Sequence, residues 1–171
     1  MNLLFTNVGR RTYLIEDLLE SEGHKTGALD IFASDWSDTS AGMLVDGAAN
    51  TFRTTLVSGD AEAYVVTLLR ECEKRQIDVV IPLSDWDLEV LASWKSHFRE
   101  IGTVVVVSAP SVVDSCLDKK KSWHFANSQG LRMPKSWFDG DTLDTTETPL
   151  IQKKTMGSGS EGLALLKKHR D

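Results

Sequence analysis

The run Ile77-Asp78-Val79-Val80-Ile81-Pro82-Leu83 restricts the fold more than any other stretch of the chain. It is short, rich in β-branched residues and nearly continuous in its apolar character, which predicts a strand buried on both faces. Pro82 falls near its end, where a missing N–H costs least. Similar runs recur. Leu3-Leu4-Phe5 stops at the turn Thr6-Asn7-Val8-Gly9, Ala28 to Ala33 is followed by Asp35, Ala48 to Phe52 is a short third candidate, and Thr103 to Val107 is a fifth.

Helical spacing fills the gaps. Leu14, Ile15, Leu18 and Leu19 form one apolar face, which Gly23 is expected to close. Asp60 is placed to cap a helix with Tyr64, Val65, Leu68, Leu69 and Cys72 inward. Ser84 and Asp87 have the spacing of a capping box ahead of Leu88, Leu91, Trp94 and Phe98, and Ser111 and Asp114 suit another helix start. The order β-α-β-β-α-β-α-β-α predicts an α/β protein with a parallel sheet covered on both faces. Ligands of such sheets bind beyond the carboxyl ends of the strands, here near Asn7/Gly9, Asp35, Ser84/Asp85 and Ser108.

From Asp118 the pattern changes. Asp118 can cap a helix containing Trp123, Phe125 and Ala126 and ending at Gly130. Leu131 to Pro134 reads as extended, Asp139 to Thr148 as a polar connection, and Pro149-Leu150-Ile151-Gln152-Lys153 as a strand. That strand feeds Met156-Gly157-Ser158-Gly159-Ser160-Glu161-Gly162, and Leu163 to Asp171 suits either a strand or a fraying helix.

Four places carry the residue types that chemistry needs. The three glycines between Gly157 and Gly162 let backbone N–H groups approach an anion, Ser158 and Ser160 add hydroxyls, and Lys153 brings a cation to the strand's end. No Gly-Lys-Ser/Thr follows, so this is not a Walker A loop; a flexible Gly/Ser linker is the plain alternative. Lys119-Lys120-Lys121 puts three cations in a helix's first turn, against its dipole, a conflict a bound anion would offset; a solvated basic turn is the plain alternative. Asn7-Val8-Gly9-Arg10-Arg11 has only one glycine where a dinucleotide fingerprint needs three, so Asp35 is more simply a strand-end turn residue than a ribose ligand. In Ser84-Asp85-Trp86-Asp87-Leu88-Glu89, capping and the helix dipole account for Asp87 and Glu89, leaving Asp85 nearest the strand tip.

Composition narrows the classes. A net charge of −6 argues against a general nucleic-acid binder. Scattered histidines give no zinc spacing, and Ser160 lacks a full nucleophile elbow, so no metal ligand is assigned. The two cysteines, Cys72 and Cys116, lie in helical stretches and fit buried thiols in a reducing compartment. No apolar run approaches the ~20 residues of a membrane helix and the N-terminus has no signal-peptide character, so a cytoplasmic location is expected.

Taken in order, these residues resemble the ATP-grasp superfamily, most closely the carbamoyl-phosphate-synthase large-subunit-like proteins. Asn2 to Arg11 and Ile77 to Asp85 look like a pre-ATP-grasp domain. Asp118-Lys119, Gly130-Leu131, Pro134, Pro149 to Lys153 and Thr155 to Gly162 look like the start of the ATP-grasp N-terminal lobe. The resemblance implies a Rossmann-like pre-ATP-grasp domain over residues 1–113 and a partial α+β lobe over 114–171. It implies ATP contacts from Lys119 and Lys153 and a phosphate cover from Gly157, Ser158, Gly159, Ser160 and Gly162. Lys154 stands where a proline is usual.

The implied reaction is attack of a small carboxylate on the γ-phosphate of Mg-ATP, followed by an amine or ammonia. The magnesium ligands are expected on a C-terminal lobe that these residues do not include. The piece by itself is therefore expected to be inactive, awaiting a complementing C-terminal polypeptide or acting as a homo-oligomer. Its substrate is expected near Gly9, Arg10, Asp35 and Asp85. Two other readings stay open: a catalytically inactive binding or regulatory module of the same fold, and a dinucleotide-dependent enzyme, which the missing glycines disfavour.

Overall fold

The computed structural model describes residues 1–46, 50–143, 149–157 and 159–167. The chain divides into two compact units, Met1–Pro110 and Ser111–Asp171.

The first unit is built on a five-stranded parallel sheet of β1 (Asn2–Thr6), β2 (Asp30–Asp35), β3 (Asn50–Arg53), β4 (Val79–Pro82) and β5 (Val104–Val105), in the order β3-β2-β1-β4-β5. Register is regular: Leu4 lies between Phe32 and Val80, and Phe5 between Ala33 and Ile81. Alternate strand residues therefore feed two separate cores. Leu4, Phe32, Val80 and Val105 pack with Tyr64, Val65, Leu68 and Cys72 of α3 (Ala61–Arg75) and with Leu91 and Phe98 of α4 (Asp85–Glu100). Leu3, Phe5, Ile31 and Ala33 pack on the other face with Ile15 of α1 (Thr12–Leu19), Leu29 and Met43. This two-sided burial is why the strands read as continuous apolar runs instead of alternating ones.

Caps fix the helix starts. The Asp60 carboxylate accepts the Ala63 N–H at 2.9 Å. Leu68 and Tyr64 are fully buried as expected, whereas Leu69 is half-buried. Gly23 does not close α1. It lies inside α2 (Glu22–Lys25), a single extra turn that Ser21 caps, and the left-handed residue that ends this region is Gly27. Gly42, in the 3-10 turn Ala41–Met43, donates its N–H to the Gly9 carbonyl at 2.9 Å, and an added Cβ would lie 2.7 Å from the Val8 side chain. Only glycine allows that approach of the turn to the loop after β1. Among the expected third-strand residues, 48 and 49 lie outside the described ones.

The second unit holds α5 (Pro110–Leu117, beginning on the last residue of the first unit), α6 (Lys119–Ser128) and the antiparallel pair β6 (Leu150–Gln152) and β7 (Ala164–Leu166). Helix α5 starts at Pro110, one residue before the expected Ser111, because proline suits the first helical position. The segment after Gly130 folds back on α6: Trp123 Nε1 donates to the Pro134 carbonyl at 2.9 Å, and Phe138 meets the rings of Trp123 and His124. The polar connection from 144 to 148 lies outside the described residues. So does 168–171; what precedes it is a strand, not a helix. No helix among the described residues is long and apolar enough to cross a membrane.

Candidate functional site

In the second unit the first turn of α6 and the glycine-rich loop are tied together. Asp118 accepts the N–H groups of Lys120 and Lys121 at 2.8 and 3.0 Å. Those amides, that of Lys121 foremost, hold its carboxyl below the usual carboxylate range. Lys119 donates its backbone N–H to the Thr155 carbonyl at 3.0 Å. Its ammonium donates to the carbonyls of Gly157 at 2.8 Å and Thr155 at 3.4 Å. Lys121 bonds both oxygens of Asp114 at 2.7 Å, which raises its ammonium pKa, and Lys120 sits 5.6 Å from the Phe138 ring centre. The clash of three lysines with the helix dipole is thus offset inside the protein, by loop carbonyls, a carboxylate and a ring face.

Gly157, Gly159, Ser160 and Gly162 all have positive φ, so the loop winds tightly between β6 and β7. Lys119, Lys153, Gly157, Gly159 and Ser160 line one cleft of about 190 Å³. Lys154, Met156, Glu161 and Leu163 complete its walls, and sequence reasoning did not single these out as contacts. Gly162 stands beside the cleft instead of lining it. An added Cβ there would lie 2.8 Å from Lys154 Cε, so the Lys154 methylenes cover it. Lys154, noted in the sequence only as a departure, is part of the loop's packing. Ser158 lies outside the described residues.

The first unit has its own cleft, of about 350 Å³, at the carboxyl ends of β1, β2 and β4. The strand order reverses between β1 and β4, the place where open parallel sheets leave a crevice. Asn7, Gly9 and Arg11 follow β1; Trp36 and Ser40 follow Asp35, the last residue of β2. Leu56, Val57 and Ser58 come from beyond β3, and Ser84 and Trp86 from beyond β4.

The acids around this cleft are turned to internal work. Asp35 is buried and accepts from Gly9 N–H at 2.9 Å, Ser37 N–H at 3.0 Å and Ser40 Oγ at 2.9 Å. It organises the loops after β1 and β2. Asp87 is also buried and accepts from Thr6 Oγ1 at 2.7 Å and from Asn7 Nδ2. Burial pushes its carboxyl pKa up, against the pull of those two donors. Burial raises the pKa of the Tyr64 hydroxyl, which has no well-formed hydrogen bond among the described residues, and the Asp87 charge raises it further.

Two expectations change here. Asp87 is not the second half of a capping box. The Ser84 hydroxyl contacts the Trp86 N–H at 3.4 Å, while the Asp87 side chain turns inward to β1. Asp85, expected nearest the strand tip, is exposed and does not line the cleft, nor does Arg10; Arg11, Ser84 and Trp86 stand there instead. A helix rotates about 100° per residue, so of neighbouring side chains at a helix start only one set can face the strands. No cluster of groups suited to hold a metal ion occurs among the described residues.

Comparison with known proteins bears on the fold. No curated protein sequence matches the chain. An L-amino acid ligase from Bacillus licheniformis superposes with a TM-score of 0.67 at 14% identity, covering 98% of this chain and 38% of that one. The biotin carboxylase domain of a single-chain bacterial carboxylase gives 0.56 at 22% identity, over 82% of this chain and 31% of that one. Pyruvate carboxylase from Rhizobium etli gives 0.65 at 14% identity, over 98% of this chain and 16% of that one. The chain thus spans well under half the length of each. Residues 3–106 match the family described as PylC-like, N-terminal domain, a stretch that takes in all five strands of the parallel sheet. With that match across more than half of its residues, the chain belongs to the PylC-like N-terminal-domain family, a pre-ATP-grasp domain of the ATP-grasp superfamily.

Proposed function

We propose that this chain supplies the N-terminal part of an ATP-dependent carboxylate–amine or carboxylate–ammonia ligase. In this reading residues 114–171 belong to the first ATP-grasp lobe and hold the phosphates of ATP. The observation that carries it is the convergence of Lys119 and Lys153, far apart in sequence, on one cleft bounded by the glycine-rich loop. Two ammonium groups and a backbone with few side chains in the way are what a polyphosphate needs. At about 190 Å³ the cleft is smaller than the roughly 300–1,000 Å³ of whole-ligand pockets, which fits a site for phosphates alone.

In this proposal Lys153, which makes no hydrogen bond or ion pair among the described residues, approaches the phosphates directly. Lys119 moves its ammonium from the Gly157 and Thr155 carbonyls to the nucleotide, so that binding and loop position are coupled. ATP with Mg²⁺ would supply the phosphoryl group that activates the carboxylate. Metal ligands and the adenine pocket would come from a C-terminal lobe, in the same or a complementing polypeptide. The carbamoyl-phosphate-synthase-like subdivision and a cytoplasmic location belong to this proposal.

A second reading has its own support. Because Lys119 is already satisfied by two loop carbonyls, the cluster also makes sense as a structural clasp in a non-catalytic binding module. Calorimetric titration of the full chain with ATP, with and without Mg²⁺, separates them. Saturable binding, weakened roughly tenfold or more by Lys153→Ala, supports the nucleotide site. Absence of binding, or binding indifferent to both Lys153→Ala and Lys119→Ala, removes it.

A further inference from the structure

Among the described residues that line it, the crevice of the first unit presents one charge without a side-chain partner and two large aromatic faces. Asp35 spends its oxygens on Gly9, Ser37 and Ser40, and Asp87 spends its own on Thr6 and Asn7. Both carboxylates are engaged by donors of this unit, Asp35 by three and Asp87 by two. Arg11, in contrast, has no side-chain hydrogen bond or ion pair among the described residues. Its guanidinium lies close over Gly9, about 3.6 Å from where a Cβ would stand. The positive φ of Gly9 and its lack of a side chain leave that approach open.

Large apolar side chains stand among the polar groups of its walls. Trp36 is 51% exposed and Trp86 64% exposed, and Leu56 is exposed beside them, yet all three border the same cavity. Large apolar side chains gathered around a cavity, instead of scattered over a surface, mark a place where apolar area is to be covered. Indole faces favour flat partners. Asn7 adds direction. One amide N–H of Asn7 is committed to Asp87, which holds the amide in place and leaves Oδ1 as an acceptor for a donor on the ligand.

We propose that this crevice binds a small organic anion with a planar body and a hydrogen-bond donor. Arg11 meets the carboxylate, Trp36 and Trp86 cover the planar face, and the Asn7 carbonyl receives the donor. Asp87 is a positioning residue that fixes the Asn7 amide. The site lies wholly within residues 1–110 and does not depend on the nucleotide reading.

The test uses the full chain and 4-hydroxyphenylacetate as probe, followed by calorimetry. Its controls are 4-hydroxyphenylacetamide, which lacks the charge, and acetate, which lacks the ring. The expected result is saturable binding with Kd at or below about 1 mM, at least roughly tenfold tighter than either control. Arg11→Gln should weaken it about tenfold and Trp86→Ala several-fold; both side chains are exposed, so folding is preserved. Lys153→Ala should leave it unchanged, whatever that variant does to ATP. No saturable binding, equal affinity for acetate, or binding untouched by both Arg11→Gln and Trp86→Ala overturns the proposal.

Discussion

The two units of this chain are held together by different physics. Among the described residues the first holds every buried apolar side chain but Val113, most of them in two cores on opposite faces of one sheet. In the second, Val113 is the only buried residue among those described. Its β6–β7 pair leaves Ile151, Leu165 and Leu166 exposed, and its order comes from local ties: the Asp118 cap, the Lys119 bonds to the loop and the Trp123 bond to Pro134. Burial gains free energy in proportion to area and makes a unit cooperative, whereas exposed hydrogen bonds exchange readily with water and contribute little each.

The sharpest test of this contrast is thiol chemistry. Cys72 is buried in the first core, and burial pushes its pKa up to about 12, while Cys116 in the second unit is exposed, against the expectation of a second buried thiol. Only the thiolate attacks, so at pH 8 Cys116 should react with an aromatic disulfide reagent in the native protein. Cys72 should react thousands of times more slowly, at the rate of opening. Comparable rates for the two would show that the first core is not closed. Next in size is Leu68→Ala, which empties a fully buried site and should lower stability by about 2–5 kcal/mol in urea unfolding. Ile151→Ala, at a residue 60% exposed, should stay within about 0.5 kcal/mol. A large loss from Ile151→Ala would mean that the second unit depends on burial after all.

The same contrast explains what could be read from the sequence. Strands with two buried faces, and caps such as Asp60 and Asp118, are local signals, and they lie where the pattern put them. Gly23 misled because Ser21 starts a new turn just before it. The crevice of the first unit was only half legible. Gly9 and Asp35 could be named, since they sit at strand ends. Trp36, Leu56 and Trp86 converge only because the strands are ordered β3-β2-β1-β4-β5, a long-range fact no local window contains. The spacing of Asp87 from Ser84 suits a cap; that its side chain turns to Thr6 follows from the pairing of β4 with β1, which brings the start of α4 beside the end of β1.

The smallest expected effect is on pH dependence, and it sets two acids of the first unit against each other. Asp87 has its pKa raised by burial, so the folded state holds its proton more tightly than the unfolded chain does. Its ionised form therefore costs stability, and that cost is relieved as pH falls through the raised pKa toward the ordinary value near ~3.9. Glu71 behaves oppositely. Burial works against its charge, but Arg75 at 2.9 Å and the charge of Lys74 hold its pKa down. Its contribution is present above the ordinary value near ~4.3 and is lost on acidification below it. Urea midpoints of the wild type and Asp87→Asn should thus change relative to each other as pH is lowered from 7 to the ordinary carboxylate value near ~3.9, with the wild type gaining on its variant. The advantage of wild type over Glu71→Gln should instead shrink below pH 4. If the Asp87→Asn offset is the same at every pH, the Asp87 carboxyl does not titrate between those limits, and its hold on Thr6 and Asn7 outweighs the cost of burying its charge.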